Sequence, residues 1–215
     1  MKKRKYIVLL IITFIFILLF SFSKNNKAKV GIIDSSISKE SILKYNIEEY
    51  IDYTNLQYLN LSKHGEKILD IIAKDRNIKI YYCNVEGKDS KIDIEHVIGA
   101  LDKLKNLNVD VINISLSFVE KDKRLEEKIE ECQKQGIVII AAIDNYNLES
   151  YPAGYDNVIA VGNKNASRKY KYLVTPIEYE STSYNTALVT KIILDKRLED
   201  KSVKKIYNYL LKEEF

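Results

Sequence analysis

Two side chains of this sequence could together activate a serine hydroxyl. Asp34 follows the apolar stretch VGII, and His64 heads the helical run HGEKILDII. A serine hydroxyl becomes a strong nucleophile when an imidazole accepts its proton. The imidazole in turn needs a carboxylate that fixes its tautomer and stabilises its cation. Asp34, His64 and a later serine would therefore supply an acyl-transfer triad.

Each of these residues also has an interpretation without chemistry. Asp34 could cap a helix or form a turn, and Ser183 could simply start a helix. A histidine at a helix start is usually a surface residue, and the other histidine, His96, is also predicted to lie on a helix surface. Residue types and spacing alone suggest a catalytic triad but do not establish that these residues form one.

Strand-like and helix-like segments alternate along the chain. The predicted strands are 29–34, 77–85, 109–117, 137–143 and 157–162. The predicted helices are the one that His64 heads, 92–107, 122–135 (ended by Gly136), and two near 183–194 and 200–212. Continuous apolar strands that alternate with helices indicate a parallel sheet covered on both faces. The predicted fold class is therefore α/β, with three layers.

Polar residues follow three of these strands. Asp34 follows the first, Ser115 and Ser117 follow VINI, and Asp144-Asn145 follows IIAAI. In open parallel sheets, ligands bind beyond the carboxyl ends of the strands, so we expect the site there. His64 would reach the same edge from a helix N-terminus, where the helix dipole favours a neutral ring. The following glycine would let that helix lie close to the sheet.

The N-terminal segment predicts a membrane anchor. Residues 6–22 carry no charge, and as a helix of about 1.5 Å per residue they would span about 26 Å, enough for a hydrocarbon core. The basic residues 1–5 predict a cytoplasmic tail, so the domain at 29–215 would lie outside the cell membrane after a linker at 23–28. A cleaved signal peptide is the alternative, although the apolar run exceeds a usual signal core.

Composition excludes several classes of function. The 34 basic and 30 acidic residues give a net charge of +4, much of it in the first five residues, which argues against nucleic-acid binding. No phosphate-binding glycine loop follows a strand, which disfavours a nucleotide-binding domain. Cys83 and Cys132 lack the spacing of metal ligands, and the sequence leaves open whether they pair or stay as buried thiols. We expect no cofactor and no metal.

Six short stretches occur in an order that resembles the subtilisin-like serine peptidases. They are VGIIDSSI (30–37), HGEKILDII (64–72), VDVINISLS (109–117), GIVIIAAIDN (136–145), YPAGYDNVIAVG (151–162) and STSYNTALV (181–189). The corresponding family signatures resemble D-[ST]-G, H-G-T-x-V-A, V-I-N-M-S-L-G, A-A-G-N, Y-P-A…V-I-A-V-G and G-T-S-M-A. The resemblance covers about residues 29–212 and implies a subtilisin-like fold.

The resemblance also implies roles for individual residues. Asp34 would orient His64, His64 would act as general base and acid, and Ser183 would be the nucleophile. The Asn145 side chain would donate a hydrogen bond to the developing oxyanion. Ser115, Leu116 and Ser117 would pair with an extended peptide substrate.

The sequence departs from the family signatures near these residues. Ser36 and Ser181 replace glycines, Glu66 replaces a threonine, and Asp144 replaces the glycine before the oxyanion asparagine. Ser181 would narrow the approach to Ser183, and Asp144 would oppose an oxyanion unless its carboxylate points away. The family's calcium-binding loops are shortened here.

Two functions are compatible with this pattern. The first is a membrane-anchored, extracytoplasmic serine endopeptidase that cleaves peptide or protein substrates through an acyl-enzyme. The second is a catalytically inactive module of the same fold that binds peptides at Ser115–Ser117. The four positions with proposed catalytic roles keep the residue types that the reaction requires, which favours the enzyme. They are Asp34, His64, Asn145 and Ser183.

Overall fold

The computed structural model describes residues 27–54, 63–74, 76–146, 148–166, 170–176, 178–196 and 202–212. The predicted basic tail at 1–5, the anchor at 6–22 and most of the linker at 23–28 lie outside these residues. Within the described part of the chain, no helix is long and apolar enough to cross a membrane.

A parallel sheet of seven strands forms the centre of the described structure. The strands are β1 (Lys29–Asp34), β2 (Glu49–Asp52), β3 (Lys79–Asn84), β4 (Val111–Ile114), β5 (Val138–Ala142), β6 (Ile159–Val161) and β7 (Leu173–Val174). Their order in the sheet is β2-β3-β1-β4-β5-β6-β7, and every paired neighbour is parallel. The predicted α/β class with a parallel sheet is confirmed.

Helices cover both faces of this sheet. They are α1 (Lys39–Lys44), α2 (His64–Ala73), α3 (Ile94–Asn106), α4 (Lys123–Lys134), α5 (Thr182–Lys196) and α6 (Val203–Leu210). Apolar residues of α2, α5 and α6 form one buried cluster with one face of the strands. Those of α3 and α4 form a second cluster on the opposite face. The prediction of three layers is therefore also confirmed.

Local sequence explains several helix ends. Asp93 and Asp122 cap α3 and α4, and each side chain accepts a hydrogen bond from a backbone N–H two residues later. Gly136 follows α4 with a φ of 81°, a left-handed conformation that glycine adopts without steric cost. It ends this helix as the sequence predicts.

One short α-helix and two short strands were not predicted. They are α1, β2 and β7, of six, four and two residues. All four residues of β2 are half-buried, so this edge strand lacks the continuous apolar run that marks the central strands. Segments this short carry too few residues for a periodic pattern to emerge.

The two cysteines lie in the same apolar cluster without forming a disulfide. Cys83 belongs to β3 and Cys132 to α4, and both are buried free thiols. Burial raises the pKa of both, that of Cys132 to about 11. Both cysteines are therefore neutral core residues at physiological pH.

The order of the strands determines where a site can form. After β1 the chain builds β2 and β3 on one side, then crosses to build β4 through β7 on the other. The switch in direction lies between β1 and β4, and the crevice beyond their carboxyl ends is the usual ligand site of such sheets. Asp34 ends β1 and Ser115 follows β4.

Candidate active site

Asp34 and His64, the first two predicted site residues, are joined directly. Nδ1 of His64 lies 2.8 Å from Oδ1 of Asp34. Asp34 is buried at the end of β1, and the imidazole at the start of α2 is 35% exposed. Because a carboxylate only accepts hydrogen bonds, Nδ1 carries the proton and the neutral ring presents its lone pair at Nε2. That is the tautomer a general base requires.

Ser35 holds this pair together, a role that its sequence context does not by itself indicate. Its backbone N–H and its hydroxyl both donate to Oδ1 of Asp34, at 2.7 and 3.0 Å. Its hydroxyl oxygen also accepts from the backbone N–H of Gly65, at 3.0 Å. Ser35 therefore connects the Asp34 carboxylate with the first turn of α2, and its position directly after Asp34 is the only sequence signal for this.

Gly65 lets α2 approach the sheet closely, as predicted. A Cβ atom here would lie 2.4 Å from the Tyr82 hydroxyl and 2.6 Å from the backbone oxygen of Ser35. Those two atoms are themselves hydrogen-bonded at 2.7 Å. The absence of a side chain at Gly65 is what brings His64 within reach of Asp34.

The charges around His64 favour its protonated form. Burial of the imidazole lowers its pKa, but the hydrogen bond to Asp34 and the charges of Asp34 and Glu86 together outweigh that effect. The pKa of His64 is therefore raised above its ordinary value near 6.5. The neutral ring expected from the helix dipole is therefore not favoured by the net effect of these groups.

Ser183 lies in the first turn of α5 and is buried. Its hydroxyl donates to the backbone oxygen of Ser115 at 3.0 Å, and its backbone oxygen accepts from the Ser115 hydroxyl at 3.4 Å. The hydroxyl proton is thus directed at the segment after β4. Catalytic hydrogen bonds are often loose without substrate, so this geometry is compatible with a nucleophile.

A buried polar network extends from Ser183 into the sheet. Asn113 in β4 donates to the Ser115 hydroxyl at 2.7 Å and accepts from the Thr190 hydroxyl at 2.9 Å. Thr190 lies about two turns farther along α5 than Ser183. The network therefore connects the helix to β4 and the residues after it at two separate points. Buried polar groups satisfied in this way specify one arrangement of the two elements.

The amide of Asn145 is oriented by Thr182. Its Oδ1 accepts from the Thr182 backbone N–H at 3.2 Å and from the Thr182 hydroxyl at 2.9 Å. With the oxygen engaged in this way, the Nδ2 donors face the other side of the amide group. Asn145 is exposed, and Thr182 precedes Ser183 directly. The amide therefore lies next to the first turn of α5.

Ser115, Leu116 and Ser117 follow β4 without being part of it. The next residue, Phe118, forms an antiparallel bridge with Tyr151, through backbone hydrogen bonds of 2.7 and 2.8 Å. A groove of about 720 Å³ begins here, and its lining includes Ile92, Ile94 and Phe118. The lining also includes charged residues such as Lys88 and Glu120, and the groove begins at Phe118, directly after Ser117.

Two of the departures from the family signatures have hydrogen-bond partners other than Asp34 and His64. Glu66 accepts from the backbone N–H of Ser38 at 2.6 Å and from the Ser41 hydroxyl, so its carboxylate holds the start of α1. Asp144 accepts from the backbone N–H of Tyr146 at 2.7 Å, within its own loop. Both carboxylates are therefore engaged with groups outside the Asp34–His64 pair.

Ser181, the third departure, is a half-buried residue directly before α5. Its backbone oxygen accepts from the N–H of Asn185 at 3.2 Å, which begins the hydrogen bonding of the helix. The fourth, Ser36, is buried beyond β1. Ser181 therefore begins the hydrogen bonding of α5 two residues before Ser183, and the predicted narrowing of the approach to Ser183 stays a prediction.

The family is decided by comparison of this chain with known proteins. The sequence pattern of the Subtilase family (Peptidase_S8) matches residues 25–190. The chain belongs to the subtilase family. The resemblance found in the six sequence stretches is thereby confirmed.

Individual subtilases are similar to this chain at low identity. The minor extracellular protease Epr of Bacillus subtilis (strain 168) is 25% identical over 151 residues, which are 64% of this chain and 23% of Epr. Subtilisin DY of Bacillus licheniformis is 25% identical over 157 residues, 65% of this chain and 57% of that protein. The matches thus span less than two thirds of these relatives.

Solved protease structures share the fold. The prenylagaramide maturation protease PagA superposes with a TM-score of 0.66 at 20% identity, over 86% of this chain and 82% of PagA. A lanthipeptide protease superposes with a TM-score of 0.65 at 17% identity, over 86% of this chain and 79% of that protease. These similarities show that the described structure is subtilisin-like in fold.

Proposed function

We propose that this subtilase is a serine endopeptidase that hydrolyses peptide bonds through an acyl-enzyme on Ser183. The observation that carries the proposal is the 2.8 Å bond between Asp34 and His64 at the switch point of the sheet. A neutral histidine oriented in this way by a buried carboxylate is arranged to accept a proton. Ser183 lies in a helix that packs against the helix of His64 in the same apolar cluster.

The first half of the reaction forms the acyl-enzyme. The Ser183 hydroxyl turns from Ser115 toward Nε2 of His64, and its Oγ attacks the substrate carbonyl carbon as the proton passes to the imidazole. Asn145 Nδ2 donates to the oxyanion, a contact that typically contributes about 10²–10³ in rate. The imidazolium then gives its proton to the amide nitrogen, the C–N bond breaks and the amine product leaves.

The second half restores the enzyme. Water adds to the ester carbonyl and its proton passes to His64. The tetrahedral intermediate collapses, Ser183 Oγ recovers the proton from the imidazolium, and the carboxylic acid product leaves. Asp34 stabilises the imidazolium in both halves without itself being protonated.

The substrate class we propose is an extended peptide or protein segment. Residues Ser115–Ser117 offer backbone groups beyond the last hydrogen bonds of β4, and strand addition is a common way to bind such a segment. The adjoining groove would hold its side chains. A narrow processing role fits the small domain better than general protein digestion.

We further propose that the peptidase domain lies outside the cell membrane, anchored by residues 6–22. The support is the uncharged apolar run and the basic residues that precede it. Extraction of membranes from cells that produce the full chain tests this. Release by carbonate at high pH, or loss of residues 1–22 from the mature protein, would overturn it.

A fluorophosphonate probe tests the peptidase proposal, because it reacts only with an activated serine. The purified wild-type protein should be labelled and Ser183→Ala should not. Ser181→Gly, which restores the family's glycine beside the nucleophile, should be labelled at least as fast as the wild type. Absence of labelling in folded wild-type protein, or persistent labelling of the Ser183→Ala variant, would refute the proposal.

A catalytically inactive peptide-binding module is the second candidate function. The observation that favours it is the hydrogen bond of the Ser183 hydroxyl to Ser115 rather than to His64. Such a module would bind peptides equally well with and without the Ser183 hydroxyl and would never turn them over. Peptide binding by the wild type and by Ser183→Ala, measured beside hydrolysis, separates the two functions.

A further inference from the structure

The ring of Tyr184 covers one face of the His64 imidazole. The two ring centroids are 5.7 Å apart and the planes differ by 28°, which is a stacked arrangement. Tyr184 follows Ser183 directly in the first turn of α5, whereas His64 starts α2. This contact therefore joins the helix of the base to the helix of the nucleophile.

Tyr184 is itself held in place by a second tyrosine. The ring of Tyr179 meets it edge-on, with centroids 5.9 Å apart and planes at 84°. The backbone of Tyr179 is clamped by the buried amide of Asn185, which accepts from its N–H at 3.1 Å and donates to its oxygen at 2.9 Å. The stacked ring therefore has a rigid support.

The bond to Asp34 controls only one edge of the imidazole. It selects the tautomer, but the imidazole can still rotate about the axis of the hydrogen bond from Nδ1 to Asp34 unless a neighbouring group restrains the face of the ring. A stacked aromatic ring supplies that restraint, and its electron-rich face also attracts a cation. A stacked ring therefore restrains the imidazole in both protonation states. It attracts the ring electrostatically only when the histidine is protonated.

We propose that Tyr184 is a positioning residue for His64: its ring keeps the imidazole aligned between Asp34 and Ser183 and stabilises the imidazolium that forms during hydrolysis. This inference rests on the proposed function for its effect on rate, whereas its effect on His64 is independent of any substrate. A phenylalanine would serve equally, because the ring and not the hydroxyl makes the contact.

Two carboxylates act on the charge of His64, and these and the charged residues next to it on α2 must be held constant in a test. Asp34 approaches from β1, and Glu86 acts from the segment after β3. On α2 itself, Glu66 is bound to the start of α1, and the Lys67 ammonium lies 5.9 Å from the ring centre of Tyr179. The test therefore changes only the stacked ring.

Proton NMR titration of the two histidines measures the effect directly. His96→Gln removes the second histidine signal and so identifies that of His64. Tyr184→Leu keeps an apolar cover but removes the aromatic face, so the proton-binding constant of His64 should fall about threefold. Tyr184→Phe should titrate like the wild type. If both variants titrate like the wild type, or if Tyr184→Phe shifts the His64 titration as much as Tyr184→Leu does, the proposal is wrong.

Kinetics with a peptide substrate give the second readout. Tyr184→Leu should lower kcat about tenfold with little change in KM, and the acid limb of its pH profile should move to lower pH. Tyr184→Phe should recover most of the rate. A general structural disturbance would instead lower the rate without moving the acid limb, which would overturn the proposal.

A second variant keeps the test decisive if Tyr184→Leu does not fold. Tyr179→Leu, made in a Lys67→Gln background because the Lys67 ammonium lies over the Tyr179 ring and compared with Lys67→Gln alone, removes the support and leaves the stacked ring in place, so it should shift the His64 titration in the same direction by a smaller factor. An unchanged titration would count against the proposal. If the wild type lacks peptidase activity but the titration shifts as expected, the proposed function fails and the positioning contact stands.

Discussion

Nδ1 of His64 lies 2.8 Å from Oδ1 of Asp34, across 30 positions of the chain. This bond joins the start of α2 to the end of β1. It determines which ring nitrogen carries the proton, and hence whether the imidazole can act as a base at all.

Asp34→Asn should lower kcat about 10⁴-fold, because an amide can donate to Nδ1 and so place the proton on the wrong nitrogen. Steady-state hydrolysis of a peptide measures this. Asp52→Asn is the matched control: Asp52 also ends a strand, but its Oδ1 accepts from Thr54 and Asn84. A loss smaller than about tenfold in Asp34→Asn would show that the carboxylate does not orient the base.

The acid limb of the pH profile of kcat/KM should reflect the protonation of His64. The base must be neutral, and its pKa is raised, so kcat/KM should rise with pH and level off only above the ordinary histidine value. Glu86→Gln removes a charge that favours the imidazolium, so the limb should move to lower pH. Glu130→Gln, in the exposed surface of α4, should leave the limb where it is. Movement in the opposite direction would contradict the electrostatic assignment.

Asn145→Asp should lower kcat about 10²–10³-fold, because it replaces the proposed oxyanion donor with a carboxylate. The oxygen that accepts from Thr182 is retained, so the free energy of unfolding should change little. Asn145→Ala removes both donor and acceptor and should lose stability as well as rate. Equal rates for the wild type and both variants would remove Asn145 from the mechanism.

Gly65→Ala should disturb both stability and catalysis. The added methyl group would overlap the Tyr82 hydroxyl and the Ser35 backbone, which must shift at a cost of about 1–3 kcal/mol. That movement separates His64 from Asp34 and should lower kcat. Gly87→Ala is the control for stability alone, since its Cβ would meet its nearest atom at an ordinary 3.4 Å but Gly87 lines the proposed substrate groove. Urea unfolding and peptide hydrolysis of the two variants decide the prediction.

Glu66→Ala should destabilise the protein with little effect on catalysis. The carboxylate accepts two hydrogen bonds at the start of α1, and losing them should lower the free energy of unfolding by about 1–3 kcal/mol. Glu127→Ala, at an exposed ion pair of α4, should change it by less than about 1 kcal/mol. A large loss of kcat/KM in Glu66→Ala with unchanged stability would place Glu66 in the active site instead.

Much of the fold could be predicted because the central strands are buried on both faces. Strand β1 was predicted with its observed bounds, and β4 and β5 within wider ones, since continuous apolar runs mark such strands. The edge strand β2 was missed because its half-buried residues lack that signal. The predicted strand at 109–117 ends early, at Ile114, which leaves Ser115–Ser117 beyond the sheet.

The sequence by itself determined the types and order of the site residues: an aspartate after the first strand, a histidine at a helix start and a serine far along the chain. Such information is local, because strand ends and helix starts are encoded by the residues around them. Only the tertiary structure decided the contacts that orient these groups, namely Ser35 on Asp34, Tyr184 on His64 and Ser115 on Ser183. Two of these contacts, Tyr184 with His64 and Ser115 with Ser183, join residues distant in sequence. Both form only when the helices pack on the sheet and bring these side chains together.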